Sequence, residues 1–264
     1  MPGQLLHIYG PLFINSFGLF VGIALIIFCY FVEKEIEKKH LISRNNFSHL
    51  LVLSVFAALI GGRTLYVINN WNSINNIYHF FDIWNGGFSL LGAVLALLIV
   101  IPLYLKVKRI TILPFLDVLA VYVPLFQSIA RIGCFFAGCC YGQAVHLPWS
   151  TIYTECTFLV PLNVPLHPTQ LYSSLLLFII FLSMRYIFKH QYNKPGQLIT
   201  LYLILICCER IMIDFLRGDR EFFSSRQITL LSIHQIVAII LALGASIAFI
   251  YFGRQKQVTI NKTV

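Results

Sequence analysis

The chain has 264 residues, of which 58% are hydrophobic and only 11% charged, with a mean hydropathy of +0.81. A soluble domain carries about 25% charged residues, so this composition excludes an ordinary water-soluble fold and points to a polytopic membrane protein. The formal net charge of +9 would suit nucleic acid, but the basic residues sit in short clusters at the ends of apolar runs, where membrane topology accounts for them and no nucleic-acid partner is implied.

A membrane-crossing helix needs about 20 apolar residues, and by that measure the chain offers about seven such segments. Residues 1–10 hold no Lys or Arg, unlike the basic start of a signal peptide, so the first apolar run, 11–32, is read as a retained helix. It ends in the charged tract Glu33-Lys34-Glu35-Ile36-Glu37-Lys38-Lys39. A second helix is expected over 48–68, then a polar loop through Asn85-Gly86-Gly87. A third is expected over 88–105, ending at Lys106-Val107-Lys108-Arg109, and a fourth over 113–129, which delivers Arg131. A long, mostly uncharged loop reaches His167-Pro168. The last three helices are expected over 168–188, 196–216 and 233–252, and a short basic tail closes the chain. With no internal repeat and no low-complexity linker, residues 1–264 read as one all-α integral-membrane domain.

All nine lysines follow helices one, three, five and seven: Lys34, Lys38, Lys39, Lys106, Lys108, Lys189, Lys194, Lys256 and Lys262. The positive-inside rule makes those ends cytoplasmic, which puts the N-terminus outside and the C-terminus inside. Six arginines lie away from those ends with no lysine beside them: Arg63, Arg131, Arg210, Arg217, Arg220 and Arg226. Arginine presents a rigid fork of donors that matches phosphate and carboxylate, so this set implies an anionic ligand on the outer side. Asp82, Asp117, Asp214, Asp219 and Glu221 are available to pair with some of them.

Two stretches concentrate this chemistry. Ala130–Gly142 carries Arg131 among Gly133, Gly138 and Gly142, a composition that suits a loop folding around a ligand. On the sixth helix, Arg210, Asp214 and Arg217 share one face at spacings of four and three, so Asp214 is expected to hold both guanidiniums. Seven cysteines, an odd number mostly inside apolar runs, argue against a disulfide scaffold. Cys134, Cys139 and Cys140 lack a zinc-ligand spacing and have no His close in sequence, so no metal is expected.

Six blocks, in order, resemble the bacterial prolipoprotein diacylglyceryl transferase family. Ala130–Gly142 is similar to its Gly-Arg-x-Gly-Asn-x-x-Asn-Gly-Glu signature, and His167-Pro168-Thr169-Gln170-Leu171-Tyr172 to its His-Pro-[Ser/Thr]-Gln-Leu-Tyr block. Arg210–Arg217 resembles Arg-x-x-x-Glu-Phe-x-Arg, and Ser232-Ile233-His234-Gln235 resembles the Ser-x-x-Gln turn into the last helix. Gly61-Gly62-Arg63 and Asn85-Gly86-Gly87-Phe88-Ser89 are similar to two further turns.

The resemblance implies a seven-helix enzyme of the bacterial plasma (inner) membrane, with its active site toward the outer side. Such an enzyme transfers the diacylglyceryl group of phosphatidylglycerol to the lipobox cysteine of a preprolipoprotein within the membrane lipid, and needs no cofactor. Carried onto this sequence, it implies Arg131 and Arg210 against the phosphate and His167 lining the site at the outer start of the fifth helix, where it is the candidate base for the thiol or else a brace for that helix start. Arg63, Gly133, Cys134, Gly138, Gly142, Gln170, Tyr172, Asp214, Arg217 and Gln235 would contact substrate.

The sequence departs from the family at Cys134 and Ala137, where the family has Asn, at Cys139, where it has Glu, and at Leu91, where it has His. Two other readings therefore stay open: a divergent paralogue that binds anionic lipid or peptide without this transfer, and a membrane thiol oxidoreductase using the cysteines. The topology is directly testable. A reporter fused after Lys108 or Lys256 is expected to be cytoplasmic and one inserted near His146 to be outside; external activity at Lys256 would overturn the N-out arrangement.

Overall fold

A computed structural model describes residues 4–9, 12–71, 87–154, 160–190, 194–220 and 231–254. Asp82, Asn85, Gly86, Cys156, Glu221, Arg226, Lys256 and Lys262 lie outside the described residues. Among the described residues seven helices succeed one another: α1 (Ser16–Lys38), α2 (Arg44–Asn69), α3 (Leu90–Val107), α4 (Ile112–Ala137), α5 (Thr169–His190), α6 (Gln197–Asp214) and α7 (Ile233–Arg254). Among the described residues six are long and apolar enough to cross a membrane. The exception is α6, whose 18 residues include Glu209, Arg210 and Asp214. The chain is thus an all-α, polytopic membrane protein.

Two boundaries differ from expectation in ways that matter. The first helix begins at Ser16 rather than at residue 11, because β2 (Leu12–Asn15) pairs antiparallel with β1 (Gln4–Tyr9). The fourth continues two turns past residue 129 to Ala137, so Arg131, Gly133 and Cys134 are helical and not in a loop. Nothing between residues 130 and 137 breaks a helix outright, and the stop comes at Gly138, whose φ is +74°. There the Gly138 N–H donates to the Phe135 carbonyl at 3.3 Å and the Cys139 N–H to the Cys134 carbonyl at 3.3 Å. This is the paired closure of a helix ending on a left-handed glycine. The long loop before α5 is also not featureless: β3 (Thr151–Ile152) pairs with β4 (Pro165–Leu166).

The chain forms two compact units, Met1–Val32 with Leu116–Val264, and Glu33–Phe115. In the smaller unit α2 and α3 approach closely, since a Cβ added at Gly92 would lie 2.3 Å from the Gly61 carbonyl oxygen. Arg63 Nη1 donates to the Gly87 carbonyl at 2.6 Å, bracing the turn before α3.

In the larger unit α1 lies antiparallel to α4 along ring contacts: Phe20 on Phe136 (5.3 Å between centroids), Phe28 on Phe126 (6.0 Å) and Phe31 on Tyr122 (5.7 Å). In lipid there is no hydrophobic drive between helices, so such pairs, about 0.5–1.5 kcal/mol each, help select the partner. Polar bonds complete the joins. Ser128 and Ser174 each donate to the other's carbonyl (2.8 and 2.9 Å), tying α4 to α5.

Asp117, one of the carboxylates available to the outer arginines, is engaged at the start of α6. It is fully buried and caps α6 from α4, accepting from the Gly196 N–H at 2.6 Å and the Ile199 N–H at 2.8 Å. Gly196, the N-cap residue, has no side chain to do so. A carboxylate on the positive end of a helix is favourable for charge as well as for hydrogen bonding. Asp117→Ala leaves two buried donors unmet and is expected to cost about 1–3 kcal/mol, read as a lowered thermal-unfolding midpoint of the purified protein in detergent.

Candidate active site

The end of α4, the start of α5 and the end of α6 meet around Gly142. Its N–H donates to the His167 carbonyl at 3.1 Å, and the His167 N–H donates to the Gln143 carbonyl at 3.0 Å. On the other side the Gln143 N–H donates to the Leu216 carbonyl at 2.9 Å and the Gly218 N–H to the Tyr141 carbonyl at 3.0 Å. A Cβ at Gly142 would stand 2.6 Å from the His167 carbonyl oxygen and 2.4 Å from the His167 Cβ. Gly142 therefore serves backbone packing, and the signature block, the His-Pro block and the segment after α6 converge because of it.

The arginines of this unit divide by how their charge is met. Arg217 is committed to Asp219 through two parallel bonds, Nε to Oδ1 at 2.7 Å and Nη2 to Oδ2 at 2.6 Å. Arg220 lies 3.4 Å from Asp214 Oδ2 and donates to Gln235 Oε1 at 3.1 Å. Arg131 and Arg210, half-buried, make no hydrogen bond or ion pair among the described residues. They are close enough to each other, and to Arg217, to repel. The buried Glu209, hydrogen-bonded by the Ser173 hydroxyl, attracts both of them. Two partly desolvated guanidiniums thus lie within each other's field, with the carboxylates of Glu209 and, for Arg210, Asp214 close enough to attract but bonded to neither. Charge left in this state is costly, and a phosphate diester is the ligand whose geometry and sign would offset it.

Several expected site residues have other tasks. Asp214 does not hold Arg210 and Arg217: its Oδ2 accepts from the Ser232 hydroxyl at 2.6 Å and faces Arg220. The local four-residue spacing loses to the chain arriving from α7. Gln235 and Ser232 form a reciprocal cap on α7, with the Ser232 N–H donating to Gln235 Oε1 at 3.0 Å and the Gln235 N–H to Ser232 Oγ at 3.2 Å, which is the capping-box pattern. Gly133 packs on α1, where an added Cβ would meet the Phe20 Cβ at 2.9 Å, and Gly138 terminates α4. Arg63 belongs to the smaller unit and braces Gly87.

The His-Pro block lies against the segment that follows α4. His167 Nδ1 is 3.4 Å from the Tyr172 hydroxyl, which accepts from Trp149 Nε1 at 2.8 Å. Gln170 Nε2 donates to the Cys139 carbonyl at 2.7 Å and Thr169 Oγ1 to the Cys140 carbonyl at 2.8 Å.

Sequence reasoning missed two features. One is Glu209, whose only signal was a carboxylate adjoining Arg210 inside an apolar run. The other is the cysteine group: the Sγ atoms of Cys134, Cys139 and Cys140 lie within 4.8 Å of one another. Thiol contacts from Cys134 and Cys139, and then the charges of Arg217 and Arg131, pull the Cys140 thiol below its ordinary value.

A family model for prolipoprotein diacylglyceryl transferase matches residues 4–251. This chain belongs to that family. It is 32% identical over 220 residues to a phosphatidylglycerol–prolipoprotein diacylglyceryl transferase of Clostridium tetani, covering 83% of this chain and 86% of that protein. The so-named protein of Finegoldia magna is 31% identical, over 90% and 91% of the two chains, and that of Prochlorococcus marinus 32% identical, over 83% and 80%. Within this transferase, Gly142→Ala forces a methyl group onto backbone that cannot yield. It is expected to destabilise the folded protein by about 1–3 kcal/mol and to abolish activity, checked by thermal unfolding alongside a transfer assay.

Proposed function

We propose that this membrane transferase moves the diacylglyceryl group of phosphatidylglycerol onto the thiol of a lipobox cysteine in a preprolipoprotein, the step that lipid-modifies bacterial lipoproteins. The observation that carries this reading is the pair Arg131 and Arg210, unengaged among the described residues while their neighbours Arg217 and Arg220 have carboxylate partners. Family membership supplies the reaction class.

In this mechanism the lipobox thiolate attacks a glyceryl carbon. The carbon–oxygen bond to phosphorus breaks and glycerol phosphate leaves with the electron pair. Arg131 and Arg210 neutralise the charge that builds on the departing phosphate, where preorganised donors contribute most. A cysteine thiol has a pKa of about 8.5, so a few per cent is thiolate at neutral pH, and the positive field of the two arginines raises that fraction. His167 is the base that takes the proton, with Nδ1 turned to Tyr172 and Nε2 left for the thiol. The lysine distribution supports a site that faces the outer side of the bacterial inner membrane.

The divergent-paralogue reading draws its support from Leu91, an exposed leucine where the family carries a histidine. Transfer of label from phosphatidylglycerol to a lipobox peptide in membranes separates the two, since a lipid-binding paralogue would give none. Arg131→Lys and Arg210→Lys each keep the charge but lose the two-pronged donor geometry. Each is expected to cost about 1.5–3 kcal/mol, roughly ten- to a hundred-fold in transfer rate. Wild-type turnover in both variants would overturn the phosphate role.

A further inference from the structure

We infer that Cys134, Cys139 and Cys140 form a three-thiolate site for one zinc ion, with its fourth position open toward the substrate thiol. The spacing of these cysteines in the chain is not that of a zinc motif; the fold is what gathers them. The helix-ending turn at Gly138 folds Cys139 back over Cys134, so that Cys139 Sγ lies 3.8 Å from the Cys134 carbonyl oxygen. Cys140 then takes a left-handed conformation, φ +56°, rare for a residue with a side chain, and this brings its sulfur to the other two. The three sulfurs, within 4.8 Å of one another, need only a small contraction. A zinc ion about 2.3 Å from each sulfur wants them about 3.8 Å apart in tetrahedral geometry.

Three further observations favour an occupied, open site. The carbonyls of Cys139 and Cys140 are pinned from the first turn of α5 by Gln170 and Thr169, so the thiols are held on fixed backbone as a preorganised ligand set requires. That bond also orients the Gln170 amide, because a carbonyl accepts only the amide nitrogen. Its Oε1 is left buried, with no donor among the described residues. A water on the fourth zinc position would be such a donor. Charge also balances: three thiolates around a dication leave one negative charge, and Arg131, one turn before Cys134 on α4, carries the opposite sign.

Zinc sites that do chemistry keep three protein ligands and one exchangeable position, and a thiol that coordinates the metal loses its proton outright. This inference rests on the transfer reading above. The lipobox thiol displaces the water and its proton passes to His167. The zinc-held sulfur then uses an electron pair to form the carbon–sulfur bond as the carbon–oxygen bond breaks toward glycerol phosphate. No electron is gained or lost overall, and the metal takes back a water when the thioether leaves.

The test uses the full chain purified in detergent. About one zinc per chain is expected by elemental mass spectrometry, and Cys134→Ser, Cys139→Ser and Cys140→Ser should each weaken zinc retention by at least about 10–100-fold. Because a serine variant can misfold, the wild-type protein is also stripped with a chelator and reloaded with cobalt(II). A sulfur-to-cobalt absorption band should appear and should change when a lipobox peptide is added, but not when its cysteine is replaced by serine. No zinc retained and no cobalt band would overturn the site. A band that ignores the peptide, or selective uptake of copper(I) alone, would overturn the open position. If label transfer from phosphatidylglycerol runs unchanged after stripping, the inference falls and the transferase stands. If metal binds and the band responds but no label moves, the site stands and the transfer reading falls.

Discussion

The crossing of backbones at Gly142 is the constraint on which the site depends. Three segments distant in sequence, the turn after α4, the residues before α5 and the residues after α6, exchange N–H and carbonyl groups there. Each bond is individually modest, and a buried backbone group left unpaired in a membrane is costly. The register is therefore narrow. A side chain at Gly142 would strike the His167 carbonyl, and the three segments could not all be satisfied together. Arg131, one and a half turns before the end of α4, and Arg210, one turn before the end of α6, inherit their proximity from this lattice.

Charge is organised around the same place by unequal pairing. Arg217 and Arg220 carry the structural ion pairs and cross-links that hold the segment after α6 to itself and to α7. Arg131 and Arg210 carry none among the described residues. The difference is a division of labour: a guanidinium fully hydrogen-bonded to a carboxylate stabilises the fold but has little left for a ligand, whereas one without a bonded partner keeps its fork of donors for an anion. Glu209 limits the cost of their burial without removing it, since its field reaches both guanidiniums but it bonds to neither. The same field draws thiols toward thiolate, which links the phosphate end of the site to the sulfur end.

The helix packing shows how little of this rests on hydrophobic burial. The α1–α4 contact runs through ring pairs, stacked at Phe20–Phe136 and Phe31–Tyr122 and edge-on at Phe28–Phe126, and through the absence of a side chain at Gly133, and α4 joins α5 by hydroxyls. The Asp117 carboxylate on the α6 terminus is the sharpest case. It fixes the end of the helix that carries Glu209, Arg210 and Asp214, and so bears on the site from the far end of α6.

Much of the fold was legible in the sequence because hydropathy is a local sum. A run of about 20 apolar residues needs no partner to be recognised as a span, and among the described residues seven helices appear close to where the runs predicted. The arginine–lysine segregation and the six ordered blocks likewise identified the family and singled out Arg131, Arg210 and His167. Pairing was not legible. Asp214 sits at helical spacing from both Arg210 and Arg217, yet its oxygen is taken by Ser232 and Arg220, which arrive through the chain before α7. Gln235 and Gly133 looked like ligand contacts and proved to be a cap and a helix contact. The cysteines failed as a zinc spacing along the chain and came together only because Gly138 reverses the backbone. By itself, the sequence determined spans, family and the inventory of charges, since these depend on residue identity and near neighbours. Only the tertiary structure decided which charges are satisfied and which sulfurs touch, because a hydrogen bond or a ligand shell is satisfied by whichever group the fold brings within about 3 Å, however far away in sequence.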